Sequence, residues 1–203
     1  QVALPTPQTA RYMVSLVPEV TPADVDYYRE ARPTAPQEDL PREHFVKPFD
    51  LLQIQSKGIQ RLGVLRMDVD DLGHIFARGF HGRGSLVRTA ALSFAMTLFF
   101  EGWVGRLAAQ LQGERDIIYS VYSGGDGLFI VAAWDILPEL AYRINSDLQR
   151  YAADRPEIHA SAGITLHGGG AFVIPLIQEY GYLSLDPIQI EIPLDGALSM
   201  ENI

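Results

Sequence analysis

Two short runs constrain this chain more than anything else in it. LGVLRMDVDDLG covers Leu62 to Gly73, and IYSVYSGGDGLFIV covers Ile118 to Val131. Each reads as a strand that runs into a turn bearing carboxylates. In the first, Val64, Arg66, Asp68 and Asp70 share one face of an alternating strand, and Leu65, Met67 and Val69 share the other. That puts Asp68 at the strand end and Asp70 just beyond it. In the second, two β-rich runs flank Ser123-Gly124-Gly125-Asp126-Gly127, a strong hairpin signal.

The segments around these runs complete a fold. Ser85 to Leu111 predicts a long helix, with Leu86, Ala90, Phe94 and Leu98 at helical spacing and most other positions apolar. Such a helix is expected to be buried on most sides. Asp135 is expected to cap a further helix whose apolar face is Leu137, Leu140, Ala141, Ile144, Leu148 and Tyr151. From Ile158 to Leu166 apolar residues alternate with His159, Ser161, Gly163 and Thr165, the pattern of a strand. The order β-α-α-β-β-α-β predicts an α+β, ferredoxin-like fold, an antiparallel sheet with helices on one face.

The flanks read differently. Residues 1–60 carry Pro5, Pro7, Pro18, Pro22, Pro33, Pro36, Pro41 and Pro48. Proline fixes φ and removes a donor, so long elements are not expected there. The segment reads as a connector or partner-contacting stretch, with one short helix opened by Thr21 as N-cap and Pro22 at the first helical position. Residues 61–167 form the regular domain. After His167-Gly168-Gly169-Gly170 the helical and strand patterns give way to a β-rich, proline-containing tail, 168–203. That tail reads either as a loop with C-terminal strands or as a segment not contiguous with the domain. Gln1 is not an initiator residue, so the natural start is expected upstream.

Composition narrows the function classes. With 47% hydrophobic residues among 203, a sizeable core can form. A net charge of −9 excludes a broadly basic nucleic-acid-binding surface, though not a local groove. The absence of cysteine excludes disulfides and cysteine-held zinc. The longest uncharged apolar stretch, Thr89 to Phe100, is too short to span a bilayer, so a cytoplasmic protein without membrane association is expected.

The carboxylates suit one chemistry in particular. Nucleotidyl transfer uses two divalent cations, one activating the attacking hydroxyl and one neutralising the leaving group. A nucleotide-polymerising or nucleotide-cyclising palm holds them from the end of its first strand and the turn of its central hairpin. Here the corresponding donors are Asp68, the carbonyl of Val69, and Asp126. Oxygen donors of this kind take Mg2+ or Mn2+. Ser123, Gly124 and Gly125 would let a nucleotide approach the backbone closely. The amides of Asp71, Leu72 and Gly73, leading into a helix, would cradle phosphates. The plainer reading is a strand-end turn and an ordinary hairpin loop; each motif alone is weak, and the two in the correct order are far more specific. His44, His74, His81, His159 and His167 show no ligand spacing. Arg78, Arg83 and Arg88 read as a solvated helix edge. Tyr119, Tyr122, Phe129 and Trp134 read as core or partner-facing aromatics rather than base-stacking platforms.

Several runs together resemble one family. They are Phe49-Asp50-Leu51-Leu52, Ser56-Lys57-Gly58-Ile59, LGVLRMDVDDLG, LFFEGW at Leu98 to Trp103, IYSVYSGGDGLFIVAAWD and HASAGITL at His159 to Leu166. The chain resembles the second palm of the large, cyclase-type subunit of type III CRISPR effector complexes, over roughly residues 49 to 166. The resemblance implies a palm at 61–167 that binds ATP and makes cyclic oligoadenylate when guide RNA pairs with a target transcript. It implies partners too: guide-RNA-binding backbone subunits, a small helical subunit, and guide and target RNA through the complex.

The family's first-strand metal ligand falls on Asp68. Its Gly-Gly-Asp-Asp signature falls on Gly124, Gly125, Asp126 and Gly127, so the final acid is absent. Asp70 and Asp71 are the nearest other acids, but they precede a helix rather than flank the hairpin. The expectation is therefore a degenerate cyclase acting as scaffold. An active cyclase making cyclic oligoadenylate is the alternative, and a diguanylate-cyclase-like signalling domain a second. No His-Asp dipeptide, the mark of the family's nuclease domain, occurs in the chain.

Overall fold

The computed structural model describes residues 16–78, 84–125, 127–155, 158–167 and 189–191. Among these, helix α1 spans Pro22–Ala31 and α2 Phe49–Ile54. Strand β1 (Leu62–Val69) leads to α3 (Leu72–Arg78), then α4 (Leu86–Thr97), a π-helical segment (Leu98–Trp103) and α5 (Val104–Gln112). Strands β2 (Ile118–Gly124) and β3 (Gly127–Ala133) form the hairpin. Helix α6 (Leu137–Tyr151), β4 (Ala160–His167) and a short β5 (Gln189–Glu191) follow.

The sheet order is β2-β3-β1-β4-β5, with every pairing antiparallel. Strand β1 is therefore central, bonded to β3 on one side and β4 on the other. This is the α+β palm arrangement that the element order predicts. β5 adds an edge strand from the tail; the rest of 168–203, like residues 1–15, lies outside the described residues.

Side-chain alternation sorts the sheet into two faces. Leu65, Met67 and Val69 of β1 and Leu128 and Ile130 of β3 are buried on the face that carries α4, α5 and α6. The approach of α6 is close: a Cβ on Gly63 would lie 2.5 Å from Leu137 Cδ1 and 3.0 Å from the Trp134 backbone. On the other face, α2 covers only part of the sheet. Phe49 meets the ring of Tyr119 edge-on, with centroids 5.7 Å apart, and Val64 and Val131 are buried in the same region. Further toward the hairpin, Arg66, Asp68 and Tyr122 stay exposed.

Three features depart from the sequence expectation. The helical stretch after Ser85 is continuous from Leu86, but it is not buried on most sides. Met96 and the half-buried Leu92 face the core, while Leu86, Val87 and Phe94 are 86%, 77% and 63% exposed. The helix is largely apolar, and the tertiary structure buries only one side of it. Asp135 is not a helix cap. It sits in a 3-10 turn, Trp134–Ile136, and α6 starts at Leu137 without a side-chain cap. The Asp135 carboxylate instead takes both Arg115 nitrogens, at 2.8 and 3.1 Å, and the Lys57 amide at 3.0 Å.

The third departure is in the proline-rich stretch, which holds the short helix expected after Thr21 but also a second helix, α2, and a core of its own. Thr21 and Asp24 form a full capping box at the start of α1, with Pro22 in its first turn. Val20, Val25, Tyr28, Leu51 and Ile54 make a small second core. Lys47 and Asp24 are both buried, with side chains 2% and 7% exposed, and their charges meet at 3.1 Å. Lys47 also donates to the Arg115 carbonyl at 3.0 Å, which ties the unit to the turn after α5.

Removing one partner of a buried pair leaves an uncompensated charge. Lys47→Met is expected to lower unfolding free energy by about 3 kcal/mol, read by urea titration. Burial alone would raise the Asp24 pKa, but hydrogen bonds from Thr21 and Lys47 outweigh it and hold the carboxyl below the usual aspartate range. The same balance, with Arg115 as partner, lowers Asp135. A depressed acid contributes stability above its unfolded pKa and loses it as pH falls through the folded value. Unfolding free energy is therefore expected to drop as pH decreases below about 4, and less steeply in the Asp24→Asn protein.

Candidate functional site

The site grows out of the register of β1. Asp68 stands directly opposite Gly127 on β3 and opposite Ser161 on β4. Gly127 in turn stands opposite Gly124 on β2. Opposed residues in antiparallel strands project to the same face. Gly124, Gly127, Asp68 and Ser161 therefore form one row across four strands, on the face away from the main helix layer.

This row is short of side chains, and what it has is close to the gap. A Cβ on Gly127 would lie 2.9 Å from the Met67 carbonyl oxygen and 3.0 Å from Asp68 Oδ1. The Asp68 carboxylate leans over the glycine. A side chain there requires β1 or Asp68 to move.

Asp70, one residue past β1, is held from two sides. Ser161 Oγ donates to its carboxylate at 2.8 Å, and His159 Nε2 lies 3.4 Å from Oδ2. Its own amide donates to the His159 carbonyl at 2.9 Å. Asp70 is thus committed to the start of β4 rather than turned to the hairpin. Asp71 adopts a positive φ of 51° and turns the chain into α3. Its carbonyl accepts from the amides of His74 and Ile75 at 2.8 and 3.0 Å, so those two amides are satisfied within the turn.

The hairpin is anchored from the helix side. The helix opens to π register between Leu98 and Trp103, and the Val104 amide bonds to Phe99, five residues back. Within this segment the Phe100 carbonyl accepts from Ser123 Oγ at 2.7 Å. The next residue, Glu101, reaches the turn: a Cβ on Gly124 would meet its Oε1 at 3.0 Å. π segments commonly mark functional sites because the extra residue redirects side chains. Gly125, with φ 64°, makes the tight turn that a residue with a Cβ disfavours.

Of the residues singled out from the sequence, Asp68, Val69, Ser123, Gly124 and Gly125 lie together at this end of the sheet, with Asp71, Leu72 and Gly73 on the turn just after β1. Asp126 lies outside the described residues. Among the described residues no three His, Asp or Glu side chains converge as a cation-holding group. Sequence reasoning missed Glu101. Its only signal was membership of the LFFEGW run, and nothing in helical periodicity announces a π segment.

With this geometry in hand, comparisons with known proteins are specific. The model of the family described as Cas10/Cmr2, second palm domain, matches residues 61–180, more than half of the chain. A relative from Methanocaldococcus jannaschii, a CRISPR system single-strand-specific deoxyribonuclease Cas10/Csm1 of subtype III-A, is 41% identical over 118 residues. That match covers 54% of this chain and 15% of the relative. One of the same name from Enterococcus italicus is 38% identical over 127 residues, covering 62% and 16%. The chain thus spans about one-sixth of the length of the curated relatives it matches. The crystal structure of a Csm1–Csm4 cassette with AMPPNP superposes with a TM-score of 0.56 at 29% identity, covering 66% of this chain and 20% of that one. A cassette with cA4 gives 0.55 at the same identity and coverage. The chain belongs to the Cas10/Cmr2 second-palm family.

Gly127→Ala is expected to destabilise the protein by about 1–3 kcal/mol, because the added methyl meets a backbone carbonyl rather than a flexible side-chain end. Thermal unfolding beside Gly125→Ala, which has open space but a positive φ, separates crowding from turn strain.

Proposed function

We propose that this chain is the second palm of the large subunit of a type III CRISPR effector, one that holds an adenine nucleotide at the Asp68 row and has weak or no cyclase chemistry. Family membership supports the first part. Similar structures named for AMPPNP, ATP and cA4 support an adenine nucleotide as ligand. One observation carries the loss of chemistry: Gly127 stands opposite Asp68 with its Cβ position already crowded. The palm core is residues 61–167, with 1–60 and 168–203 as flanking segments.

The donors present are oxygens, which suits a hard cation such as Mg2+ or Mn2+. Asp68, the Val69 carbonyl and Asp126 would hold it, and it would supply charge neutralisation for a triphosphate. The protein's own part is separate. Gly124 and Gly125 let a phosphate chain approach the hairpin backbone, and Leu72 and Gly73 lead the turn after β1. Missing one acid, the row leaves more positive charge uncompensated than an intact Gly-Gly-Asp-Asp site would. The partners proposed are a Csm4-type subunit, guide-RNA-binding backbone subunits, a small helical subunit, and guide and target RNA through the assembly.

A second reading, an active cyclase, is favoured by Glu101, whose carboxylate reaches the Gly124 end of the same row. The two readings part in one assay. The assembled complex, given ATP, Mg2+ or Mn2+ and target RNA, is expected to yield little or no cyclic oligoadenylate. Strong product that vanishes with Asp126→Ala, and falls at least tenfold with Glu101→Gln, would establish the second reading instead. Gly127→Asp alone is expected to leave the rate low, because the added carboxylate displaces Asp68; recovery to a strong metal-dependent rate would show the glycine to be the only lesion.

A further inference from the structure

The pairing of β2 with β3 shifts register between Ser120 and Tyr122. Tyr119 stands opposite Val131 and Ser120 opposite Ile130, but Tyr122 stands opposite Phe129. Val121 is the extra residue. Without that bulge Tyr122 would oppose Leu128, on the helix side of the sheet. With it, Tyr122 turns to the open face and is 56% exposed. Bulges re-aim side chains in this way beside functional sites.

The bulge completes a second row next to the Asp68 row. Tyr122 opposes Phe129, Phe129 opposes Arg66, and Arg66 opposes Gly163. Neighbours in such a row have Cβ atoms about 4.5–5.5 Å apart. The row lies about 7 Å along β1 from Asp68, two residues of strand. Tyr122 leans toward the hairpin, its hydroxyl donating to the Gly124 carbonyl at 3.0 Å. Phe129 is half-buried and Gly163 is exposed, and the row continues beyond Gly163 to Glu191 of β5, which stands opposite it. Arg66 is exposed, and its side chain has no hydrogen-bond or ion-pair partner among the described residues, in a chain whose net charge is −9. Helix α2 covers the same sheet face at Tyr119 and Val131 but leaves this row uncovered.

We infer that the Tyr122–Phe129–Arg66 row is a nucleobase platform: it takes the base of a nucleotide whose phosphates lie at the Asp68 row. Two aromatic side chains on a sheet give a stacking surface that any base can use. The Arg66 guanidinium stacks on a base or meets a phosphate oxygen, and it supplies positive charge where the chain is otherwise acidic. Gly163 removes the side chain that would block the base from settling beside Arg66. This assignment reverses the sequence expectation that Tyr122 and Phe129 are core or partner-facing aromatics. It also rests on the nucleotide-binding reading above.

The test uses the full-length protein in its assembled complex and a fluorescent adenine analogue, 2-aminopurine riboside triphosphate, with Mg2+. Inorganic triphosphate, which has no base, serves as the second probe. In the unaltered protein the analogue is expected to bind with quenched fluorescence, as stacking requires. Tyr122→Ala and Phe129→Leu are each expected to weaken it roughly tenfold and restore its emission, the order of effect for losing one base–aromatic stack. Arg66→Gln is expected to weaken it severalfold, and Arg66→Lys less. Triphosphate affinity is expected to be unchanged by Tyr122→Ala.

Quenching and affinity that survive both aromatic substitutions would overturn the platform while leaving nucleotide binding intact. Equal loss for the analogue and for inorganic triphosphate, or loss of complex assembly, would also overturn it and make the row structural or a protein interface. No binding of the analogue or of triphosphate by the unaltered complex would sink the nucleotide reading and this inference together. Tyr122 is exposed, so its substitution tests the platform even where Phe129→Leu disturbs folding.

Discussion

Strand β1 is bonded along both edges, and its register against β3 and β4 sets the geometry of the whole site. Because β1 is central, its alternation cannot slip without turning Leu65, Met67 and Val69 out of the core. That constraint places Asp68 opposite both Gly127 and Ser161. It also places Arg66 two residues away on the same face, between Phe129 and Gly163. The carboxylate row and the aromatic row are successive rungs of a single ladder. The burial of three apolar side chains on one face thus fixes where the polar chemistry of the other face sits.

Two local irregularities act on that regular frame, both near the hairpin. The π segment inserts an extra residue into the helix, bonds Phe100 to Ser123 and carries Glu101 to the turn. The β2 bulge inserts an extra residue into the strand and moves Tyr122 from the helix side to the open side. Each costs some regular hydrogen bonding, and the hydrogen bonds from Ser123 and Tyr122 offset part of it. Together they bring Ser123, Glu101 and Tyr122 to a hairpin end where Gly124 and Gly127 have no side chains of their own.

The opposite end of the sheet is built for rigidity instead. Arg115 bonds Asp135 with two nitrogens and the Gln55 carbonyl with one of them. Lys47 spans from Asp24 to the Arg115 carbonyl. These charges are wholly or partly buried, and their net contribution to stability is modest, but each is costly to leave alone. They therefore specify how the proline-rich unit docks. That docking places Phe49 over Tyr119, which limits how far α2 covers the open face. The uncovered remainder is where Arg66 and Tyr122 are exposed.

Strand alternation, helical spacing and the glycine-rich turn were enough to derive the α+β palm order and the Thr21 cap, because each depends on near neighbours in the chain. The same local signals placed Asp68 at a strand end. They misjudged α4, since an apolar helix does not reveal which of its faces finds a partner. They misread Asp135 as a cap because its real partner, Arg115, lies on another element. Proline content hid α2 and the small core it shares with α1, because that core comes from long-range packing of Val20, Val25 and Tyr28 with Leu51 and Ile54. The π segment, the β2 bulge and the crowding at Gly127 were illegible for one shared reason. Each arises where two segments distant in sequence meet, and no window of residues contains both. The sequence alone determined the family, the order of elements along the chain and the placing of Asp68 at a strand end. Only the tertiary structure decided that Asp68 leans over Gly127, that Glu101 reaches the turn, and that Tyr122 faces out beside Arg66, because cross-strand register and helix packing, not local propensity, set those positions.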